Sequence, residues 1–207
     1  MTTLAPRDAT LRPGAQRKRL RVLGIDPAAT GPTGYGVVET DGRACRMLRF
    51  GALGARRPVD FPARLCEIHA LILELIEEYA PDGLAVESVF TALNMKTALR
   101  LAEVRGVVML AAAQGKVPVH SYSPREVKAS VAGYGHANKQ QMQLMVRALL
   151  GMAQTPEPSD AADALAVALC HIQAARARAH WAAADGFRPS KSASRSRPAA
   201  ARIPVSR

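Results

Sequence analysis

The chain has 207 residues, of which 48% are hydrophobic and 22% charged, and it carries a net charge of +11. This length suits a single domain, and the apolar content excludes wholesale disorder. No apolar run reaches the roughly 18 residues that span a bilayer, so the composition excludes a membrane protein. The polar, arginine-rich first residues lack the apolar segment of a secretory signal, and we therefore expect a cytoplasmic location.

The excess positive charge lies at the two ends of the chain. Residues 1–21 carry six basic side chains against one acid, residues 176–207 carry eight against one, and residues 22–175 carry fourteen against fifteen. Basic ends on a neutral body indicate a polyanionic partner such as nucleic acid, with solvated tails that aid solubility as the alternative. We expect a disordered basic arm at 1–20, a folded domain at 21–180 and a disordered basic tail at 186–207.

The first half of the chain predicts three strands followed by a helix. Apolar runs at Leu20–Asp26, 35–38 and Cys45–Leu53 are joined by turns too short for a parallel crossover. These strands should therefore form an antiparallel meander. From Asp60, which is a favourable N-cap, apolar residues recur at helical spacing until Pro81.

The second half alternates between strands and helices. We expect further strands at 84–87 and 117–122, and helices at 94–114, 124–131, 139–150 and 159–178. Right-handed crossovers place the last two strands parallel to the first. The predicted fold is therefore α/β: a mixed five-stranded sheet, made of the antiparallel meander plus two parallel strands, flanked by helices.

Four carboxylates occupy positions where α/β sheets bind ligands. Asp26 ends the first predicted strand and Glu87 ends the fourth, and the carboxyl ends of parallel strands collect ligands at one edge. Asp160 and Asp163 begin the last helix, where a spacing of three puts both on one face. Clustered carboxylates repel unless cations bind between them, and hard oxygen ligands favour Mg²⁺ or Mn²⁺. A turn-capping role for Asp26, and helix-dipole stabilisation by the other two aspartates, are the simpler alternatives.

Seven short segments of the chain carry a family resemblance. They are residues 23–27 (Leu-Gly-Ile-Asp-Pro), 33–38 (Thr-Gly-Tyr-Gly-Val-Val), 86–90 (Val-Glu-Ser-Val-Phe), 105–107 (Arg-Gly-Val), 125–128 (Arg-Glu-Val-Lys), 133–135 (Gly-Tyr-Gly) and 160–166 (Asp-Ala-Ala-Asp-Ala-Leu-Ala). In this order they resemble the motifs of RuvC-type Holliday-junction resolvases (crossover junction endodeoxyribonucleases). Two features depart from the family pattern: Ala28 replaces a glycine, and the loop at 28–32 is one residue longer.

The resemblance implies a ribonuclease-H-like fold, a homodimer and a metal-dependent nuclease. Its substrate would be the four-way (Holliday) DNA junction, cut symmetrically into ligatable nicks during recombination and repair. The resemblance matches Asp26, Glu87, Asp160 and Asp163 to the family's catalytic acids, which would hold two Mg²⁺ or Mn²⁺ ions per active site. It leaves open an association with a branch-migration complex of the RuvAB type.

A strip of basic residues supplies a predicted DNA-facing side. Residues 88–150 carry eight basic side chains against two acids, whereas residues 22–87 carry ten acids against six basic side chains. Lys128 and Lys139 match family lysines near the substrate, and the resemblance implies that Phe90 stacks on an unpaired base. Solvated helix faces and a core phenylalanine are the alternatives. The predicted DNA-binding residues are Phe90, Arg105, Arg125, Lys128 and Lys139.

Two rival functions are compatible with parts of the sequence. An actin-like or sugar-kinase-like ATPase also begins with a strand, an acid such as Asp26 and a Gly/Thr-rich turn, but it needs a second domain and a second phosphate loop. A non-catalytic nucleic-acid-binding protein would explain the basic ends but not four acids at these positions. The segment 106–113 is apolar on all sides, so we expect it to be deeply buried, either in one subunit's core or against a partner subunit.

Overall fold

The structure is a computed structural model that describes residues 19–54, 60–88 and 94–184. The strands are β1 (Leu20–Asp26), β2 (Thr33–Thr40), β3 (Cys45–Leu53), β4 (Gly83–Glu87) and β5 (Val119–Tyr122). The helices are α1 (Phe61–Tyr79), α2 (Met95–Gln114), α3 (Pro124–Ala132), α4 (Lys139–Leu149) and α5 (Ser159–Ala184). Phe90, the predicted tail at 186–207 and the predicted arm up to residue 18 lie outside the described residues.

The strands form one mixed sheet in the order β3-β2-β1-β4-β5. β1 pairs antiparallel with β2, and β2 with β3, whereas β1–β4 and β4–β5 are parallel pairs. This arrangement confirms the predicted meander plus two parallel strands. β2 begins at Thr33, two residues earlier than predicted. Gly34 is typical of a turn in sequence, but it is paired with Asp26 in the sheet.

Alternating strand side chains build a hydrophobic core on each face of the sheet. On one face, Val22 packs in a cluster with Leu165 of α5, and α3 and α4 cover the same side. On the other face, Leu23 packs in a second cluster with Ile72 of α1 and Val108 of α2. The sheet therefore lies between α1 and α2 on one side and α3, α4 and α5 on the other.

Polar side chains at the helix starts explain where the helices begin. Asp60 caps α1, as predicted, by accepting a hydrogen bond from the Ala63 amide, and Asn94 caps α2 in the same way. Ser123 and Asn138 start α3 and α4 with capping boxes. Each cap satisfies main-chain N–H groups that have no partner within the helix.

Helix α2 buries one face only. Val104 and Val108 are fully buried, whereas Gly106, Met109 and Leu110 are exposed. The expectation that the segment 106–113 is deeply buried is therefore wrong for the monomer. The reason is that α1 and the sheet pack against one side of this helix, the side that carries Val104 and Val108.

Helix α5 continues to Ala184, beyond the predicted end near residue 178. Its last turns are rich in alanine and arginine, which favour the helix. Arg176 anchors this part of the helix by donating a 2.6 Å hydrogen bond to Thr40 Oγ1 at the end of β2. No described helix, α5 included, combines the length and apolarity needed to cross a membrane.

Candidate active site

The structure brings the four predicted acids together at one edge of the sheet. Asp26 is the last residue of β1 and Glu87 the last of β4, and because these strands are parallel neighbours, both acids lie at the same edge. Asp160 is in the first turn of α5, and Asp163 follows on the same helix face. Both aspartates act electrostatically on Asp26, so the start of α5 lies beside the end of β1.

Strand glycines allow α5 to approach the sheet this closely. A Cβ atom at Gly34 would lie 1.9 Å from the Asp160 carbonyl oxygen, and one at Gly24 would lie 2.1 Å from the Ala164 carbonyl oxygen. No side chain fits at either position while the helix stays in place. Direct packing of helix backbone on strand backbone therefore sets the position of the α5 acids, a role that sequence reasoning missed.

The four acids lie close enough to act on one another electrostatically. Burial, followed by repulsion from Glu87 and a hydrogen bond with it, raises the pKa of Asp26 to about 8, and Asp163 and Asp160 add to the shift. Burial also raises the pKa of Glu87, and repulsion from Asp163 acts in the same direction. Burial raises the pKa of Asp163, although Lys139 acts in the opposite direction. Burial and mutual repulsion among these carboxylates therefore disfavour the charged form of Asp26.

A cavity of about 230 Å³ opens beside these acids. Its polar lining comes from Glu87, Asp163 and two of the predicted DNA-binding residues, Lys128 and Lys139, while side chains such as Met142 supply an apolar wall. Lys139 Nζ lies 3.5 Å from Asp163 Oδ2, and the charge of Lys128 opposes the rise that burial causes in the pKa of Glu87. Lys139 is therefore paired with a carboxylate, and Lys128 lines the same cavity and acts electrostatically on Glu87.

The two predicted arginines lie outside the lining of this cavity. Arg105 donates hydrogen bonds to the Glu87 main-chain carbonyl and to Ser121 Oγ. Arg125 is exposed on α3. The described residues therefore gather the four acids and two lysines into one site, but not the two arginines.

An arginine that sequence reasoning missed holds the loop after Asp26. Arg64, near the start of α1, donates from Nη2 to the carbonyl oxygens of Ala28, at 3.0 Å, and Gly31. Arg64 therefore anchors the loop at 28–32, which departs from the family pattern in its length and in having Ala28 in place of glycine. In the sequence, Arg64 is one more cation on an amphipathic helix, so no local signal distinguishes it.

The donor set fits a divalent cation. All four groups are carboxylates, and a doubly charged ion would relieve the repulsion that raises the pKa of Asp26. Within residues 19–54, 60–88 and 94–184, no three acid, histidine or cysteine side chains already converge on a single ion position. The chain thus supplies the charge and the oxygen donors of such a site.

A mixed sheet of this order, with carboxylates at its edge beneath a crossing helix, defines a ribonuclease-H-like nuclease. Residues 22–171 match the family model described as crossover junction endodeoxyribonuclease RuvC. The chain belongs to the RuvC family of crossover junction endodeoxyribonucleases, which are divalent-metal-dependent nucleases. These findings confirm the predicted family resemblance and the predicted fold. They also confirm the predicted enzyme class, which is a Holliday-junction endonuclease of DNA recombination and repair.

Relatives match most of their own length to this chain. The RuvC protein of Chloroflexus aggregans is 48% identical over 156 residues, covering 75% of this chain and 94% of that protein. The RuvC protein of Syntrophomonas wolfei is 43% identical over 157 residues, covering 76% and 91%. Thermus thermophilus RuvC is similar in structure with a TM-score of 0.71 at 38% identity, covering 77% of this chain and 97% of that one. The same protein in complex with a Holliday junction substrate has a TM-score of 0.72 at 38% identity, covering 77% and 96%.

Proposed function

We propose that this chain cuts four-way DNA junctions at a centre formed by Asp26, Glu87, Asp160 and Asp163. The observation that carries the proposal is the meeting of four carboxylates at the shared edge of β1 and β4, where burial and mutual repulsion raise the pKa of Asp26 to about 8. Asp26 is influenced by the other three acids and is the natural central ligand. The acids would hold two Mg²⁺ or Mn²⁺ ions, which when bound activate water and stabilise charge on the leaving oxygen.

The basic side chains beside the acids would receive the DNA. Lys128 and Lys139 line the same cavity as Glu87 and Asp163, where the phosphate gains negative charge in the transition state. A cation bound to Asp163 would compete with Lys139 for that carboxylate and leave its ammonium to the phosphate. Phe90 is proposed to stack on an unpaired base, and the exposed Arg125 to contact phosphate.

Junction DNA as the substrate is supported by the Thermus thermophilus relative, which is described in complex with a Holliday junction. The proposal extends to a nuclease domain that includes residues 21–180, flanked by basic segments; the predicted arm at 1–20 is corrected at its end, because Leu20 already belongs to β1. The proposal also includes a branch-migration complex of the RuvAB type as a partner, and a cytoplasmic location.

A cleavage gel tests this function. A synthetic four-way junction incubated with Mg²⁺ or Mn²⁺ should yield paired nicks that a ligase seals, and EDTA should prevent them. A linear duplex of the same length serves as the matched control and should stay intact. An uncut junction with either ion, or hydrolysis of ATP by the same preparations, would contradict the proposal and favour the rival functions.

An exposed apolar stripe on α2 supports a homodimer. Leu99, Met109 and Leu110 are 58%, 50% and 53% exposed, and nothing lies within 4 Å of the position that a Cβ atom would take at Gly106. The same stripe of a second copy of the chain could pack against this face. The two α2 helices could approach each other closely at Gly106, which has no side chain. Paired, symmetric cuts in a four-way junction require two active sites related by a two-fold axis, which a dimer supplies.

Leu110→Lys is expected to convert the dimer into a monomer, because an ammonium group cannot be buried in an apolar interface without a partner. Sedimentation should give about twice 22.1 kDa for the wild type and about 22.1 kDa for the variant. Leu144→Lys is the matched control, since Leu144 is 55% exposed on α4, and this variant should remain dimeric. A strictly monomeric wild type that still makes paired cuts would contradict the dimer.

Truncation after Gly186 is expected to weaken DNA binding at low salt without changing metal dependence or junction preference. The truncation removes six basic residues and no acid, so only non-specific binding to phosphates should be weakened. The slope of log affinity against log salt should become shallower by about 0.9 for each duplex phosphate that the truncated protein no longer neutralises. An unchanged slope would assign the tail to solubility.

A further inference from the structure

Arg105 is half-buried and contacts two strands of the sheet. From α2, its guanidinium donates one hydrogen bond to the main-chain carbonyl of Glu87 and another, of 3.3 Å, to Ser121 Oγ. Glu87 is the last residue of β4, and Ser121 belongs to the neighbouring strand β5. The planar fork of an arginine side chain can make both contacts at once, which a lysine ammonium cannot do with the same geometry.

The carbonyl that Arg105 contacts lies where β4 has lost its pairing with β1, although Glu87 still pairs with Tyr122 of β5. The β1–β4 ladder ends at the pair Ile25 and Val86, one residue before Glu87. On the β5 side, the Ser88 amide donates a 2.7 Å hydrogen bond to a β5 carbonyl. Arg105 therefore supplies a main-chain contact at the point where pairing with β1 has stopped.

Arg105 approaches Glu87 from the face of the sheet opposite the cavity. Successive strand side chains point to opposite faces. Val86 packs in the same cluster as Val104 and Val108 of α2, whereas the Glu87 side chain lines the cavity on the α5 side. Val104 and Val108 are fully buried, so the part of α2 that carries Arg105 is firmly seated.

We propose that Arg105 is a positioning residue for the nuclease reaction. Its guanidinium holds the Glu87 main chain from the α2 side of the sheet. The Glu87 carboxylate is thereby directed toward Asp26 and the cavity on the opposite side. Lys128, in contrast, lines the cavity, and its positive charge acts electrostatically on the Glu87 carboxylate. The inference rests on the proposed function, because it takes Glu87 as one of the metal-holding acids, and it replaces the predicted DNA contact for Arg105 with a role inside the protein.

The test compares Arg105→Ala and Arg105→Lys with Arg100→Ala. Arg100 is the matched control, since it lies on the same helix and its guanidinium sits 5.2 Å from the centre of the Phe61 ring, away from Glu87. Three quantities are measured: the single-turnover cleavage rate at saturating junction, the junction affinity in EDTA, and the rise in Tm on addition of Mg²⁺ or Mn²⁺.

Arg105→Ala should cut about tenfold or more slowly at saturating junction, because small displacements of a catalytic group are costly. It should also need more Mg²⁺ for half its maximal rate and show a smaller ion-dependent rise in Tm. Its junction affinity should stay within about twofold of the wild type, since phosphate contacts are unchanged. Arg105→Lys should recover part of the rate through one remaining hydrogen bond, and Arg100→Ala should match the wild type throughout.

Two results would overturn the inference. A weaker junction affinity for Arg105→Ala, with a normal rate at saturation, would make Arg105 a DNA contact. A normal rate together with a normal Mg²⁺ requirement would leave it without a role in the reaction. If the alanine variant fails to fold, Arg105→Lys carries the test, since it should still cut more slowly than the wild type at saturation.

Glu87→Gln is measured alongside, to separate this inference from the proposed function. An active Glu87→Gln enzyme would contradict the proposed function itself. An inactive Glu87→Gln enzyme beside a normal Arg105→Ala enzyme would overturn only the positioning role.

Discussion

Asp26→Asn is expected to abolish junction cleavage and leave junction binding intact. Removing one preorganised electrostatic group from an active site typically lowers the rate by about 10²–10³-fold, and Asp26 lies in the field of the other three acids. Binding should persist because DNA phosphates are held by basic side chains rather than by the carboxylates. The measurements are cleavage with Mg²⁺ or Mn²⁺ and junction affinity in EDTA.

The same substitution is expected to stabilise the protein in EDTA. The pKa of Asp26 is about 8 in the folded protein, against 3.8 for an ordinary aspartate. Between these values the folded state holds a proton that the unfolded chain has released, so stability falls as the pH rises from about 4 to about 8. The neutral amide of the Asp26→Asn variant does not titrate, and it would remove this loss. A gain of about 1 kcal/mol would raise the Tm by about 2–4 °C, and the gain should be largest above pH 8.

Asp41→Asn is the matched control for both effects. Asp41 is exposed in the β2–β3 turn, where it accepts hydrogen bonds from the Arg43 and Ala44 amides. Cleavage by this variant should equal that of the wild type, and its Tm in EDTA should not show the pH-dependent gain. If Asp26→Asn cut junctions at a near-normal rate, or melted at a lower temperature in EDTA at pH 8, the assignment of Asp26 would be wrong.

Gly34→Ala is expected to destabilise the fold and slow cleavage at the same time. The added Cβ atom would lie 1.9 Å from the carbonyl oxygen and 2.5 Å from the carbonyl carbon of Asp160. These are main-chain atoms that cannot rotate away, so we expect a cost near the upper end of the usual overpacking range, about 3 kcal/mol. Any shift of α5 moves Asp160 and Asp163 away from Asp26, and a displacement of about 1 Å can lower the rate by about 10²-fold.

Gly31→Ala is the control for this substitution. The nearest atom to a Cβ at Gly31 is the Ala28 Cβ, at 3.9 Å, so there is room for the methyl group. Tm and the cleavage rate at saturating junction should be unchanged in this variant and lowered in Gly34→Ala. Equal values for the two variants would show that the close approach of α5 to β2 is not required.

The order of the elements and the identity of the acids could be predicted from the sequence because both depend on local patterns. Apolar runs ended by Asp26 and by Glu87 mark strand ends, and the spacing of Asp160 and Asp163 puts them on one helix face. Strand alternation, helical periodicity and capping residues act between neighbours a few positions apart. For that reason the mixed sheet and the edge that carries the carboxylates were predictable.

Only the tertiary structure determines which main-chain segments lie close to one another. Gly34 is typical of a turn in sequence, yet it makes room for the first turn of α5. Arg105 is predicted from sequence to bind DNA, yet it contacts the main chain of Glu87, and the segment 106–113 is apolar but half exposed. These features depend on distances between segments that are far apart in the chain. No local period encodes such distances, because the packing of helices on the sheet sets them.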